Sequence, residues 1–160
     1  MKKRKAKHGE KIYLIKATLS GWRGQLAGTP YRILAIPGGF TLYNLAEAIV
    51  DSFDFYFDHA FGFYNNIQRW TRSTEGYELF ADIGEESHFK GVKRTKISKV
   101  FDKVRKKMLF LFDYGDQWNF IVELIRIESP EEGAEYPLVV ESVGIAPRQY
   151  GEIDEEEAEL

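Results

Sequence analysis

Apolar and polar positions alternate with a period of two near the start of the chain. From Ile12 to Leu19, one face carries Tyr13, Ile15, Ala17 and Leu19, and the other carries Ile12, Leu14, Lys16 and Thr18. This alternation predicts a strand with one fully apolar face. Gly21 to Thr29 is rich in glycine and reads as a loop. Tyr31 to Ile36 predicts a second strand, opened by Pro30 and closed by Pro37-Gly38-Gly39. The two are expected to pair as an antiparallel hairpin with a long connection.

The period then lengthens. Leu42, Leu45, Ile49 and Phe53 form one helical stripe, with Glu47 and Asp51 off it. Thr41 precedes the stripe and can cap it by accepting a hydrogen bond from a first-turn amide. The aromatic run from Phe53 to Tyr64 predicts a helix end that becomes a strand near Ala60 to Tyr64. Residues 65–94 show no clear period, although Tyr77 to Ile83 suggests a short strand. Ile97, Val100, Phe101 and Val104 fall at i, i+3, i+4 and i+7, which predicts a second helix over Thr95 to Val104. Met108 to Asp113 and Gln117 to Ile127 read as strands joined at a Tyr114-Gly115 corner. After a loop at Ser129 to Ala134, Tyr136 to Val143 reads as the last strand. Few helices and short turns between the later strands predict an α+β fold in one domain. Its sheet is expected to be mainly antiparallel and twisted, curling toward a barrel, with two main helices on one face.

Composition sharpens this outline. A chain of 160 residues suits one domain, of a size that buries about 70% of the surface its extended form exposes. Twelve Phe, nine Tyr and three Trp point first to a ring-rich core and second to a stacking surface. The absence of cysteine excludes disulfides, thiolate zinc sites and a cysteine nucleophile. No apolar run approaches the ~20 residues of a bilayer span, and no apolar signal core follows the basic start. The expectation is a soluble, cytoplasmic protein with no membrane partner.

Charge divides the chain. Lys2, Lys3, Arg4, Lys5 and Lys7 make residues 1–9 a basic arm, and Glu152, Asp154 to Glu157 and Glu159 make residues 152–160 an acidic tail. Both are expected to be mobile around a domain spanning 10–151, because such runs bury too little apolar area to offset chain entropy. The net charge of −3 offers no whole-molecule attraction to nucleic acid. One internal segment does the opposite. Lys93 to Lys107 holds eight basic residues and one acid. On a helix, Lys93, Arg94, Lys96, Lys99 and Lys103 would form a ridge suited to nucleic-acid phosphates, or simply a solvated helix face.

Other chemistry is sparse. Asp113 and Asp116 flank the Tyr114-Gly115 corner, with Trp118 two residues further on. The pair can act in acid/base work or hold a divalent cation through oxygen, or each can accept hydrogen bonds from the turn's own amides. His59 sits among Phe57, Phe61 and Phe63, where an imidazole serves as a base, a ligand or a hydrogen-bonded structural group. His59, Asp113, Asp116 and Trp118 are therefore the ligand-binding candidates. No residue is assigned as catalytic, and no cofactor or metal is assigned. A Gly-x-Ser-x-Gly elbow, a phosphate-binding glycine loop and an HExxH helix are all absent.

Five blocks carry a family resemblance. They are Pro30-Tyr31-Arg32-Ile33, Thr41-Leu42 with Leu45, His59-Ala60-Phe61, Phe112-Asp113-Tyr114-Gly115-Asp116-Gln117-Trp118, and Tyr136-Pro137. Together they resemble the Ri-plasmid ORF-three-like family over about residues 10–151. The resemblance implies a small protein of unknown role, and some relatives carry transposon-passenger or resolvase labels. The family pattern often has histidines where this chain has Ala46 and Asn119, and a different turn where it has Ala146 to Gly151. A resolvase label implies a nucleophilic serine with an arginine cluster, which this sequence lacks. The expected function is a non-catalytic binding or interaction domain associated with nucleic acid or a mobile element. The alternative is a small metal-dependent or acid/base hydrolase built on the Asp113–Asp116 hairpin.

Overall fold

The structure, a computed structural model, describes residues 2–20 and 29–150. Residues 21–28 of the predicted loop Gly21–Thr29, and the acidic tail, lie outside the described residues. The strands are β1 (Arg4–Lys5), β2 (Ile12–Ser20), β3 (Tyr31–Pro37), β4 (Phe61–Tyr64), β5 (Gly76–Glu78), β6 (Lys107–Phe112), β7 (Trp118–Glu128), β8 (Glu135–Tyr136) and β9 (Leu138–Val143). The helices are α1 (Leu42–Ser52), α2 (Leu79–Asp82) and α3 (Ile97–Val100), with a short 3₁₀ turn at Trp70–Arg72.

Seven strands form one antiparallel sheet in the order β5-β4-β6-β7-β2-β3-β9. The hairpins β2–β3 and β6–β7 follow the sequence pattern. They meet at the centre, where β2 pairs with β7 from Ile12↔Glu128 to Ser20↔Asn119. The sheet stays open, with β5 and β9 as its outer strands, so the expected curl toward a barrel does not close.

One face of the sheet carries the main core. Ile15, Ala17 and Leu19 of β2 meet Phe110 and Phe112 of β6, Trp118 and Phe120 of β7, and the stripe Leu42, Leu45, Ile49 and Phe53. Two smaller clusters cover the other face. Ile12, Leu14 and Tyr136 form one, and Tyr64, Leu109 and Leu111 form the other, under Trp70, Phe89 and Tyr114. Helix α1 starts where Thr41 Oγ1 accepts from Asn44 N at 3.2 Å and Asn44 Oδ1 accepts from Thr41 N at 3.0 Å, a reciprocal capping box.

The structure revises four expectations. The second helix is one turn, Ile97–Val100, not Thr95–Val104. Ile97, Val100 and Phe101 are buried as the stripe implies, but Val104 is exposed. The cause lies in the sheet. Arg105 N donates to Leu124 O at 2.8 Å and Leu124 N to Lys106 O at 3.1 Å, so backbone groups a longer helix would need are held by β7. One main helix therefore packs on the core face, not two. The segment Tyr77–Ile83 is the end of β5 followed by α2. The last strand is divided into β8 and β9 at Pro137, which has no amide to donate.

The basic N-terminal segment is partly placed. Arg4 and Lys5 pair with Tyr136 and Glu135. Arg4 bridges Glu10 at 2.8 Å and stacks 4.4 Å from the centre of the Phe40 ring.

Candidate functional site

The β6–β7 corner is built by its first aspartate. Asp113 adopts φ 67° and Gln117 φ 56°, left-handed conformations that Asp tolerates better than most residues. Asp113 Oδ1 accepts from Gly115 N at 3.0 Å and from Asp116 N at 3.3 Å, and Asp113 O accepts from Gln117 N at 2.6 Å. The corner is tied to the residue just before β4, because Asp113 N donates to Ala60 O at 2.9 Å. That register places His59 beside it. His59 Nε2 lies 3.4 Å from Asp113 Oδ2 and 3.5 Å from Asp58 Oδ1.

The C-terminal described residues complete this cluster. Gln149 is buried and clamps the Tyr56 backbone, accepting from Tyr56 N at 2.6 Å and donating through Nε2 to Tyr56 O at 3.0 Å. The same Nε2 reaches Asp58 Oδ1 at 3.2 Å. Tyr150 donates its hydroxyl to Asp58. That hydrogen bond, with the charges of Asp58, Asp113 and Asp116 behind it, pushes the Tyr150 phenol up to about 12.

The four ligand-binding candidates therefore divide. His59 and Asp113 meet, and Asp116 acts electrostatically on Tyr150 in the same place. Trp118 points the other way. It is fully buried, with its ring centre 4.7 Å from that of Phe55. Sequence reading did not single out Asp58, Gln149 or Tyr150; adjacency to His59 was the only signal, and it covers Asp58 alone. Among the described residues, no three His, Cys, Asp or Glu side chains converge as a metal-binding group.

The basic candidates also divide. Lys90, Arg94, Lys96 and Lys99 line an open cleft of about 970 Å³, together with Tyr77, Gly91 and Asp82. Asp82 shapes its wall by accepting from Val92 N at 2.6 Å and Lys93 N at 3.2 Å. Among the described residues, none of the four cations is in an ion pair. Lys93 instead lies 5.2 Å over the Tyr43 ring, and Lys103 is exposed outside the cleft. Beyond it, Lys106 pairs with Glu75 at 3.1 Å and Arg105 with Glu123 at 3.6 Å. In place of a ridge along a long helix, the cations line a cleft formed by β5, α2, the loop before α3 and Lys99 of α3 itself. Lys90, which precedes the segment, is an addition the sequence pattern did not supply.

An open antiparallel sheet with one main helix on its core face defines the class as a single-domain α+β protein. The chain belongs to the plasmid pRiA4b ORF-3-like family, which it matches over residues 11–153. It is similar in fold to the crystal structure of a protein of unknown function from Methanosarcina mazei Go1, with a TM-score of 0.70 and 24% identity, over 89% of this chain and 75% of that one. The curated proteins contain no significant match to the sequence. Among the described residues, no helix is long and apolar enough to cross a membrane.

Proposed function

We propose that this chain is a non-catalytic binding domain that takes a nucleic-acid strand in the cleft of Lys90, Arg94, Lys96 and Lys99. One observation carries the reading: four cations with no ion-pair partner among the described residues line one open cleft of a chain whose net charge is −3. Unpaired cations converging on one concavity raise the local potential even where the whole-molecule charge repels phosphate. Asp82 is the one acid in the lining and does not offset four cations.

Binding through four phosphate contacts has a defined salt signature. A slope of about −3 in log affinity against log salt is expected, or roughly 50- to 150-fold weaker binding for a fourfold rise in salt. Fluorescence anisotropy with labelled oligonucleotides measures it. Lys96→Glu with Lys99→Glu should remove most of the binding and flatten the slope. An oligonucleotide affinity that is absent at low salt, or unchanged by the double reversal, defeats the proposal.

The contact between His59 and Asp113 favours a second reading as an acid/base hydrolase. It requires turnover of a simple ester or phosphomonoester that His59→Gln abolishes. An imidazole already positioned by a carboxylate is the arrangement such a base needs.

A further inference from the structure

Glu78, the last residue of β5, belongs to neither site above. It is 8% exposed. Its Oε1 accepts from Ser87 Oγ at 2.6 Å, and its Oε2 accepts from the Tyr64 hydroxyl. The Tyr64 hydroxyl also meets that of Tyr114 at 2.6 Å. Burial first, then the bond to Glu78, pushes the Tyr64 phenol well above its ordinary range, and burial does the same to Tyr114. Both phenols therefore stay neutral and supply hydrogen bonds but no positive charge. Among the described residues, no lysine or arginine pairs with Glu78. A carboxylate has about four acceptor positions, and side chains fill two of them here. A buried carboxylate in this state lacks the counter-charge that ordinarily offsets its lost hydration.

Glu78 is one of the residues that line an open cavity of about 440 Å³. Trp70 and Phe89 supply its aromatic surface, and Glu86, Ser87 and His88 its polar rim. The rings are held in place. Trp70 packs 5.0 Å from Tyr64 and 5.6 Å from Tyr114, and Phe89 packs 5.9 Å from Tyr64, all between ring centres. A Cβ on Gly76 would sit 2.9 Å from the Phe89 ring, so the missing side chain is what lets that ring lie against β5. Tyr77, between Gly76 and Glu78 on the strand, lines the basic cleft instead. Strand alternation thus separates a cationic concavity from an anionic, aromatic one.

Two acidic residues and two aromatic rings, against His88 as the one basic side chain in the lining, favour a cation over an anion. A bare divalent metal wants several oxygen ligands in a compact shell, and no group of three acidic or imidazole side chains converges among the described residues. A cation whose charge is spread over a C–H or N–H surface suits ring faces and a buried carboxylate together. We propose that this cavity binds a small organic ammonium ion, with Glu78 as its counter-ion and the Trp70 and Phe89 rings as its walls.

The probe is tetramethylammonium, titrated into the full chain by calorimetry and by tryptophan fluorescence at constant ionic strength. Sodium chloride and the neutral tert-butanol serve as controls. Saturable binding of tetramethylammonium alone is expected. Glu78→Gln should weaken it at least tenfold, and Trp70→Leu roughly three- to thirtyfold, the range of a cation–π contact. If Glu78→Gln fails to fold, Trp70→Leu and the exposed Glu86→Gln decide, each expected to weaken binding. No saturable binding at millimolar tetramethylammonium overturns the proposal. So does equal uptake of tert-butanol, or an affinity that the folded variants leave unchanged.

Discussion

Asp113 divides its carboxylate between two tasks. One oxygen holds the corner through two backbone amides, and the other faces His59. Substitution separates them. Asp113→Ala leaves those amides without their acceptor and places alanine at φ 67°, and is expected to cost about 1–3 kcal/mol. Asp113→Asn keeps an acceptor oxygen and tolerates the left-handed region, and should cost less than about 1 kcal/mol. Urea unfolding of both variants reads the difference; equal losses would remove the corner role. Gly62 is a second sensitive position. A Cβ there would lie 2.6 Å from the Tyr64 hydroxyl oxygen and 2.8 Å from that of Tyr114. Gly62→Ala should destabilise the fold by about 1–3 kcal/mol, again by urea unfolding. At this scale Asp113, Asp116 and His59 stood out in the sequence, and Gly62 did not. Their contacts did not stand out either, because Asp113 reaches His59 only through the β4–β6 register.

At the scale of elements, the local pattern was most reliable where no distant strand competes for the backbone. Helix α1 has its stripe and its cap within a few residues, and both appear as read. Helix α3 has an equally clear stripe but ends after one turn, since sheet pairing takes over at Arg105 and Lys106. Strand β1 was hidden in the opposite way. A run of Lys and Arg carries no strand signal, and the segment is held by β8, the Phe40 ring and Glu10. The hydrogen bond from Arg4, joined by the amides of Lys7 and Gly39, lowers the Glu10 carboxyl from 4.5 to about 2. A lowered carboxyl stabilises the fold fully above its ordinary value of 4.5, and that contribution fades as pH falls toward about 2. The pair is partly exposed, so the contribution is on the order of 1 kcal/mol. Glu10→Gln should lower the melting temperature near neutral pH and flatten its decline between pH 4.5 and 2. A decline as steep as that of the parent would rule out this pair as the source.

For the whole molecule, net charge is a poor guide to where a polyanion would sit. Lys96 and Lys99 are exposed and take no part in the described ion pairs. Their reversal to glutamate should change unfolding free energy by no more than about 0.5 kcal/mol, as surface substitutions usually do. Thermal melts of the double variant test this, and an unchanged melt makes any loss of oligonucleotide binding a property of the surface. The sheet also separates its two concavities by strand alternation, since Tyr77 and Glu78 are neighbours in sequence but line different cavities.

The sequence alone determined the elements whose signal is local: the apolar faces of β2 and β3, the capped stripe of α1, and the glycine corner between β6 and β7. Periodicity, capping and turn preference act over a few residues, so one chain read once suffices for them. Only the tertiary structure decided where α3 stops, that β4 lies between β5 and β6, and hence that His59 meets Asp113 and Glu78 meets Tyr64. Those outcomes depend on which strand claims which backbone hydrogen bonds across the sheet, and no local pattern encodes that competition.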